Sequence, residues 1–115
     1  MSTRNALDNE YIIDINTQTD SYTLVLGDAS KLIIMNKATA NTLTIPKASS
    51  VAFPIGTEIL IFQLGAGRTT LAPVDGDVTI NSPDSALNLY TQYSCAALIK
   101  RAGDIWILMG DISRW

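Results

Sequence analysis

Tyr93-Ser94-Cys95-Ala96-Ala97-Leu98-Ile99-Lys100-Arg101-Ala102-Gly103-Asp104-Ile105-Trp106-Ile107-Leu108-Met109 is the stretch whose reading decides the fold. Its two halves are strongly apolar, too short for two stable helices, and parted by only two residues, Gly103-Asp104. A glycine at the first central position suits a tight hairpin turn with positive φ, so the stretch reads as two antiparallel strands.

The same reading extends outward in both directions. From Tyr11 onward, short segments rich in β-branched and aromatic residues alternate with Gly, Pro, Asn and Asp. The expected strands are 11–15, 22–26, 32–35, 42–45, 57–64, 69–72, 78–80, 87–90, 93–100 and 105–109. Thr42-Leu43-Thr44-Ile45 and Val78-Thr79-Ile80 alternate apolar with polar side chains, which directs one face to a core and the other to solvent. Asp75-Gly76 suggests a second hairpin between 69–74 and 77–80, with Pro73 assigning its strand to a sheet edge. Pro46 and Pro54 bracket 47–53, leaving room for one helical turn. No internal repeat stands out; residues 42–50 echo 77–85 only at the level of chance.

This spacing of short strands and turns predicts an all-β, single-domain protein, an antiparallel β-sandwich or a jelly-roll-like barrel over 11–115, preceded by a short N-terminal arm, 1–10. The arm is polar, carries both signs of charge and has little apolar content. Within 115 residues one core is expected, and 47% hydrophobic residues suffice to form it without a disulfide or metal. Leu32-Ile33-Ile34-Met35, Ile59-Leu60-Ile61-Phe62 and Ile105-Trp106-Ile107-Leu108-Met109 are apolar on both faces, so a second cover is expected over their outer side, and neighbouring subunits suit that role better than the arm.

Composition narrows the chemistry. The chain has no His and a single Cys, which removes the commonest general base and any zinc or copper site of ordinary make-up. No catalytic, cofactor or metal residues are therefore assigned, and the expectation is that the protein is not an enzyme. A pair of carboxylates could still serve a glycosidase, but Asp28, Asp75, Asp77, Asp84, Asp104 and Asp111 fall where turns favour Asp. Gly65-Ala66-Gly67 lacks the third glycine and the following helix of a dinucleotide-binding loop, and Asp75-Gly76-Asp77 supplies too few oxygens for a calcium loop. Cys95 reads as a small buried apolar residue.

Only 17% of residues are charged and the formal net charge is −3. That balance argues against nucleic acid as a partner, since phosphate tracking needs clustered Lys and Arg. No apolar run is long enough to span a membrane and the start lacks a signal peptide, so synthesis in the cytoplasm is expected. Trp106 reads as core, whereas Trp115 beside Arg114 has the composition of a binding anchor. Arg4, Asn5, Leu7, Arg114 and Trp115 are the candidate partner contacts.

From Asn41 onward several stretches occur in an order that resembles a β-rich domain of tailed-bacteriophage structural proteins, found in tail-fibre components and capsid decoration proteins. They are Asn41-Thr42-Leu43-Thr44-Ile45-Pro46, Ser49-Ser50-Val51-Ala52-Phe53-Pro54-Ile55-Gly56-Thr57, Gln63-Leu64-Gly65-Ala66-Gly67, Val78-Thr79-Ile80-Asn81-Ser82, Gln92-Tyr93-Ser94, Ala97-Leu98-Ile99-Lys100-Arg101 and Trp106-Ile107-Leu108-Met109-Gly110-Asp111. The resemblance implies architecture and a place in the virion, and carries over no catalytic or ligand residue. Because the domain makes up nearly the whole chain, without a fibre's shaft, it implies a capsid decoration (cement) protein, a homotrimer bound to the major capsid protein on the capsid surface. The alternative it leaves is a tail-fibre or baseplate module that binds a host surface glycan through exposed aromatics beside Asp or Asn.

Overall fold

In the segment Asn41–Ile45 the side chains at 41, 43 and 45 are buried and those at 42 and 44 half-buried, the two-residue period of a strand with one face in a core. The same alternation sets the other strands in the computed structural model, which describes residues 12–115. In chain order these are β1 (Asp14–Gln18), β2 (Tyr22–Thr23), β3 (Lys31–Met35), β4 (Asn41–Ile45), β5 (Glu58–Gln63), β6 (Thr69–Pro73), β7 (Thr79–Asn81), β8 (Asn88–Leu89), β9 (Cys95–Ala102), β10 (Ile105–Gly110) and β11 (Ile112–Ser113). A six-stranded sheet, ordered β1-β3-β5-β9-β10-β7, packs on a five-stranded sheet, ordered β11-β8-β6-β4-β2. The all-β sandwich expected from the sequence is formed, as two sheets and not as a barrel.

The pairing corrects one part of that expectation. An antiparallel sandwich was expected, but five of the nine strand pairings are parallel. From β1 to β6 each strand crosses to the opposite sheet, so a strand returning to its sheet runs the same way as the one before it. The result is a two-sheeted coil. Leu32 pairs with Leu60 and Asn41 with Thr69, both offset by 28 residues, so 31–45 and 59–73 are successive turns of one repeat. The repeat escapes a search for identity because only inward apolar bulk and corner geometry recur, as in Leu32-Ile33-Ile34 over Leu60-Ile61-Phe62. Beyond β6 the direction reverses: β8 lies antiparallel on β6 and β9 antiparallel on β5, closing that end of the coil.

Stacking turns of coil leaves little room at the corners. A Cβ added to Gly65 or Gly67 would fall on the backbone of Lys37 or Thr39, the residues directly across the coil, so these glycines are present for close approach and not for a ligand. Three buried polar side chains satisfy the corner backbone. Gln63 Oε1 accepts from Thr69 N at 3.1 Å, and Gln63 Nε2 donates to the Gly65 carbonyl at 3.2 Å. Thr69 Oγ1 donates to Asn41 Oδ1 at 2.6 Å, while Asn41 Nδ2 donates to the Thr39 and Gly67 carbonyls. With every partner made, burial of these groups is not penalised by stranded donors or acceptors.

One core fills the space between the sheets. Ile33, Leu43, Ile45, Ile59, Ile61, Leu71, Leu89, Leu98 and Leu108 are fully buried, and Trp106 meets Phe53 edge-on with ring centroids 5.5 Å apart. Trp106 is thus core, as expected. At the open end of the coil the inward residues of β1 are polar. Asn16 Nδ2 and the Tyr22 hydroxyl each donate to the buried Asp28 carboxylate at 2.8 Å, and Val25 N does so at 2.9 Å. Burial, and then the Asp28 carboxylate, push the Tyr22 phenol above its ordinary pKa.

Several local expectations are met and others shift. Residues 93–109 form the β9–β10 hairpin around Gly103-Asp104, but neither residue takes a left-handed φ; Arg101 is an extra residue between the pairs Lys100–Trp106 and Ala102–Ile105. Lys47 carbonyl accepts from both Ser50 N and Val51 N, giving the single helical turn anticipated between Pro46 and Pro54. Asp75-Gly76 joins no hairpin, because β6 and β7 belong to different sheets. Pro73 lies on a central strand; on the β8 side β6 donates from Leu71 N to the Leu87 carbonyl at 2.7 Å, and on the β4 side Val74 N donates to the Ile45 carbonyl, so the missing N–H at the strand's last residue costs no ladder bond. The expected first strand, 11–15, begins at Asp14, with Tyr11 outside the described residues.

Candidate interaction surface

The core-facing side of the six-stranded sheet alternates with a second set of side chains on its outer side. The register aligns that set in rows across the strands. Thr17, Ile34, Phe62 and Cys95 form one row, and Ile15, Leu32, Leu60, Ala97 and Met109 the next. Glu58, Ile99, Ile107 and Asn81 form a third, beyond which Arg101 donates to Asn81 Oδ1 at 3.0 Å. Glu58 and Arg101 are the only charged residues of this outer set, and both lie at the same end. The described residues contribute two sheets and two short 3-10 turns, with no third layer over these rows. The strands read as apolar on both faces therefore bury one face and present the other.

Tyr93 borders this surface. Its φ of 73° is in the left-handed region, rare for a bulky side chain, and its ring stacks on Phe62 with centroids 6.2 Å apart. The residue remains 64% exposed, so the strained backbone extends the aromatic surface without filling the core. Cys95, expected to be buried, is exposed on the same outer face. It is the first residue of β9, where the alternation places odd-numbered side chains outward. Partial desolvation still pushes its thiol pKa up, which keeps it protonated and weakly nucleophilic.

Of the residues assigned from sequence as partner contacts, Arg4, Asn5 and Leu7 lie outside the described residues. Arg114 and Trp115 are brought together: the guanidinium carbon sits 4.9 Å from the centroid of the Trp115 ring. Trp115 is 77% exposed, so it does not pack on its own sheet. Both line a hollow of about 320 Å³ with Tyr90, Asp84, Pro83 and Ile112. Tyr90 is also exposed, so two aromatics far apart in sequence converge here. Sequence reading missed this meeting because β11, which carries the chain into the hollow, is only two residues long.

The remaining polar clusters have structural partners. Lys47 Nζ sits between the Asp75 and Asp77 carboxylates at 2.7 and 3.2 Å, filling the position a cation would take. Asp104 accepts from Ala48 N and Asp111 from Ser94 Oγ, so these turn acids serve turns. Lys100, buried, donates to the Phe53 carbonyl at 2.7 Å. Among the described residues no group of three His, Cys, Asp or Glu is placed to hold a metal ion. The geometry describes a β-sandwich whose prominent exposed chemistry is an apolar sheet face and an aromatic hollow. Comparison with protein-family models, curated proteins and solved structures finds no match.

Proposed function

We propose that this chain is a structural subunit of a bacteriophage particle, a capsid decoration protein that binds the assembled shell as a homotrimer and stabilises it. The observation that carries the reading is the outer face of the six-stranded sheet, three rows of largely apolar side chains without a covering layer among the described residues. A surface of this kind works by removing apolar area from water on contact, which is how a cement subunit adds cohesion to a shell. The ordered phage-like stretches from Asn41 onward supply the context of a virion and the major capsid protein as partner. The test is to locate the chain on intact particles by labelled antibody and imaging, with its mass in solution measured in parallel. Regular labelling over the capsid is expected; labelling at the tail, or none on the particle, overturns the reading.

A second reading has its own observation. The hollow lined by Tyr90, Trp115, Asp84 and Arg114 places exposed aromatic rings beside hydrogen-bonding groups, the arrangement a sugar ring stacks on. Under this reading the chain is a tail-fibre or baseplate module for a host glycan. Binding on a glycan array that disappears in Trp115→Ala, together with location at the tail, would favour it.

A further inference from the structure

We propose that the hollow between β11 and the turn 82–86 binds a phosphocholine-type group, its quaternary ammonium held by Asp84, Tyr90 and Trp115 and its phosphate by Arg114. This rests on the hollow of the second reading above and gives the host glycan a chemical identity. Of the six aspartates that the sequence places in turns, Asp28, Asp75, Asp77, Asp104 and Asp111 each accept a hydrogen bond or an ion pair from the fold. Asp84 has neither among the described residues. Its backbone is nonetheless held at a φ of 55°, next to Ser85 at 56°, so two successive left-handed residues carry its side chain to the hollow. A carboxylate that the fold does not use, on a wall shared with two exposed aromatics, is available to a ligand cation.

The walls select the kind of cation. Apart from Asp84 and Arg114, the polar side-chain groups at the hollow are the Tyr90 hydroxyl and Ser113 Oγ, and Ser113 Oγ already accepts from Trp115 N at 3.0 Å. Pro83, Ala86 and Ile112 add only apolar surface. A primary ammonium or a guanidinium has several N–H donors, and a bare sugar ring several hydroxyls, for which these walls offer few partners; a cation covered by methyl groups needs none. Methylated ammonium groups bind by their charge against aromatic faces, and an acid beside the rings supplies the counter-charge. The Trp115 ring already holds a cation of the chain itself, the Arg114 guanidinium, 4.9 Å from its centroid. Arg114 forms no ion pair with a described residue, so its donors remain for an anion placed beside the cation. An acid and a base facing one small hollow, not paired with each other, complement a ligand that carries both charges. At about 320 Å³ the hollow is at the small end of ligand sites, the size for a head group and not for a long chain.

A nuclear magnetic resonance titration of the full chain reads the site directly, with the indole N–H of Trp115 as reporter and that of the buried Trp106 as internal control. Phosphocholine is expected to shift the Trp115 signal saturably by about 10 mM and to leave Trp106 in place. Choline is expected to bind about tenfold more weakly, and inorganic phosphate to give no saturable shift. Asp84→Asn, whose side chain tolerates the left-handed turn, and Tyr90→Ala are each expected to weaken phosphocholine binding about tenfold. Arg114→Gln should bring phosphocholine down to the level of choline without weakening choline itself. Absence of a saturable shift with phosphocholine overturns the proposal, as does a shift that Asp84→Asn leaves intact. The wild-type titration needs no variant, so misfolding of one leaves the proposal falsifiable. Neutral oligosaccharides that shift Trp115 where phosphocholine does not would overturn the proposal and keep the glycan reading. Phosphocholine binding accompanied by cosedimentation with phosphatidylcholine vesicles keeps the proposal, places the group on a lipid and removes the glycan reading; phosphocholine binding with none to vesicles keeps both.

Discussion

At Tyr93 the chain holds an aromatic residue at a φ of 73°, a conformation that costs a non-glycine residue about 1 kcal/mol or more. The ring's contact with Phe62 is largely solvent-facing, so it returns little of that cost within one copy. Tyr93→Gly is therefore expected to raise the unfolding free energy by about 1 kcal/mol when measured by urea titration at protein concentrations where the chain is monomeric. A fall in monomer stability would show that the aromatic stack outweighs the backbone strain.

Lys47 offers a second residue-scale test, one of pH. Its ammonium, hydrogen-bonded to Asp75, holds that carboxyl below its ordinary 3.8, while the same contacts, Asp75 first and then Asp77, raise Lys47 above its ordinary 10.5. A lowered carboxyl stabilises the fold above its unfolded pKa and loses that contribution as pH falls through its folded value. A raised lysine contributes below its unfolded pKa and loses it as pH rises through its folded value. The clamp thus acts across the whole range between them. The Tm difference between wild type and Lys47→Met is expected to be small, as for any exposed pair, constant from about pH 5 to 9, and gone near pH 2. A difference that persists unchanged at the acid end would mean the lysine acts through packing of its stem.

Among elements, the corner 64–68 joins β5 to β6 directly above the corner that joins β3 to β4. Gly67→Ala would drive a methyl into the Thr39 backbone and is expected to cost more than about 2 kcal/mol, since two turns of coil must separate to admit it. Gly76→Ala makes the useful contrast: its turn has open space around the position and no left-handed φ, so a change within about 1 kcal/mol, tending to stabilise, is expected. Equal losses in the two variants, measured by urea unfolding, would remove the stacked corner as the reason for Gly67. The same corner shows what could be read from sequence and what could not. Period-two patterns and turn residues located nearly every strand, because both are local properties of a half-buried chain. Whether consecutive strands pair with each other or cross to the opposite sheet is decided by contacts 28 residues apart, which no short pattern encodes. For the same reason the doubly apolar strands betrayed an interaction face, whereas the meeting of Tyr90 with Trp115 and the outward placement of Cys95 depended on register and on a two-residue strand.

Across the whole molecule the coil has two unlike ends, and stability should be graded between them. At the closed end β5 and β9 sit in the middle of the six-stranded sheet, and β4 and β6 are paired on both sides in the other. Ile61, Leu98, Leu43 and Leu71 are fully buried there. At the open end β1 and β2 are edge strands among the described residues, and β1 turns Asn16 and Gln18 inward where the next turn has Ile33 and Met35 and the one after it Ile61 and Gln63. Hydrogen bonds around Asp28 seal that end, but they bring little apolar burial to hold the strands closed, and inward polar residues also discourage a foreign strand from adding to the edge. The bonded amides of β1 and β2 are therefore expected to exchange with solvent through a local opening, while those of β4, β5, β6 and β9 exchange only on global unfolding. Native-state hydrogen exchange at increasing denaturant separates the two: β1 amides should show a shallow dependence and a lower opening free energy, merging with the global isotherm only near the midpoint. Tyr22→Phe, which removes one bond to Asp28 and leaves the ring, should lower the β1 opening energy by about 1 kcal/mol, with β5 and β9 shifting far less. Protection of β1 equal to that of β5 would instead mean that the polar seal is as cooperative as the apolar core, and that the coil unfolds as a single unit from either end.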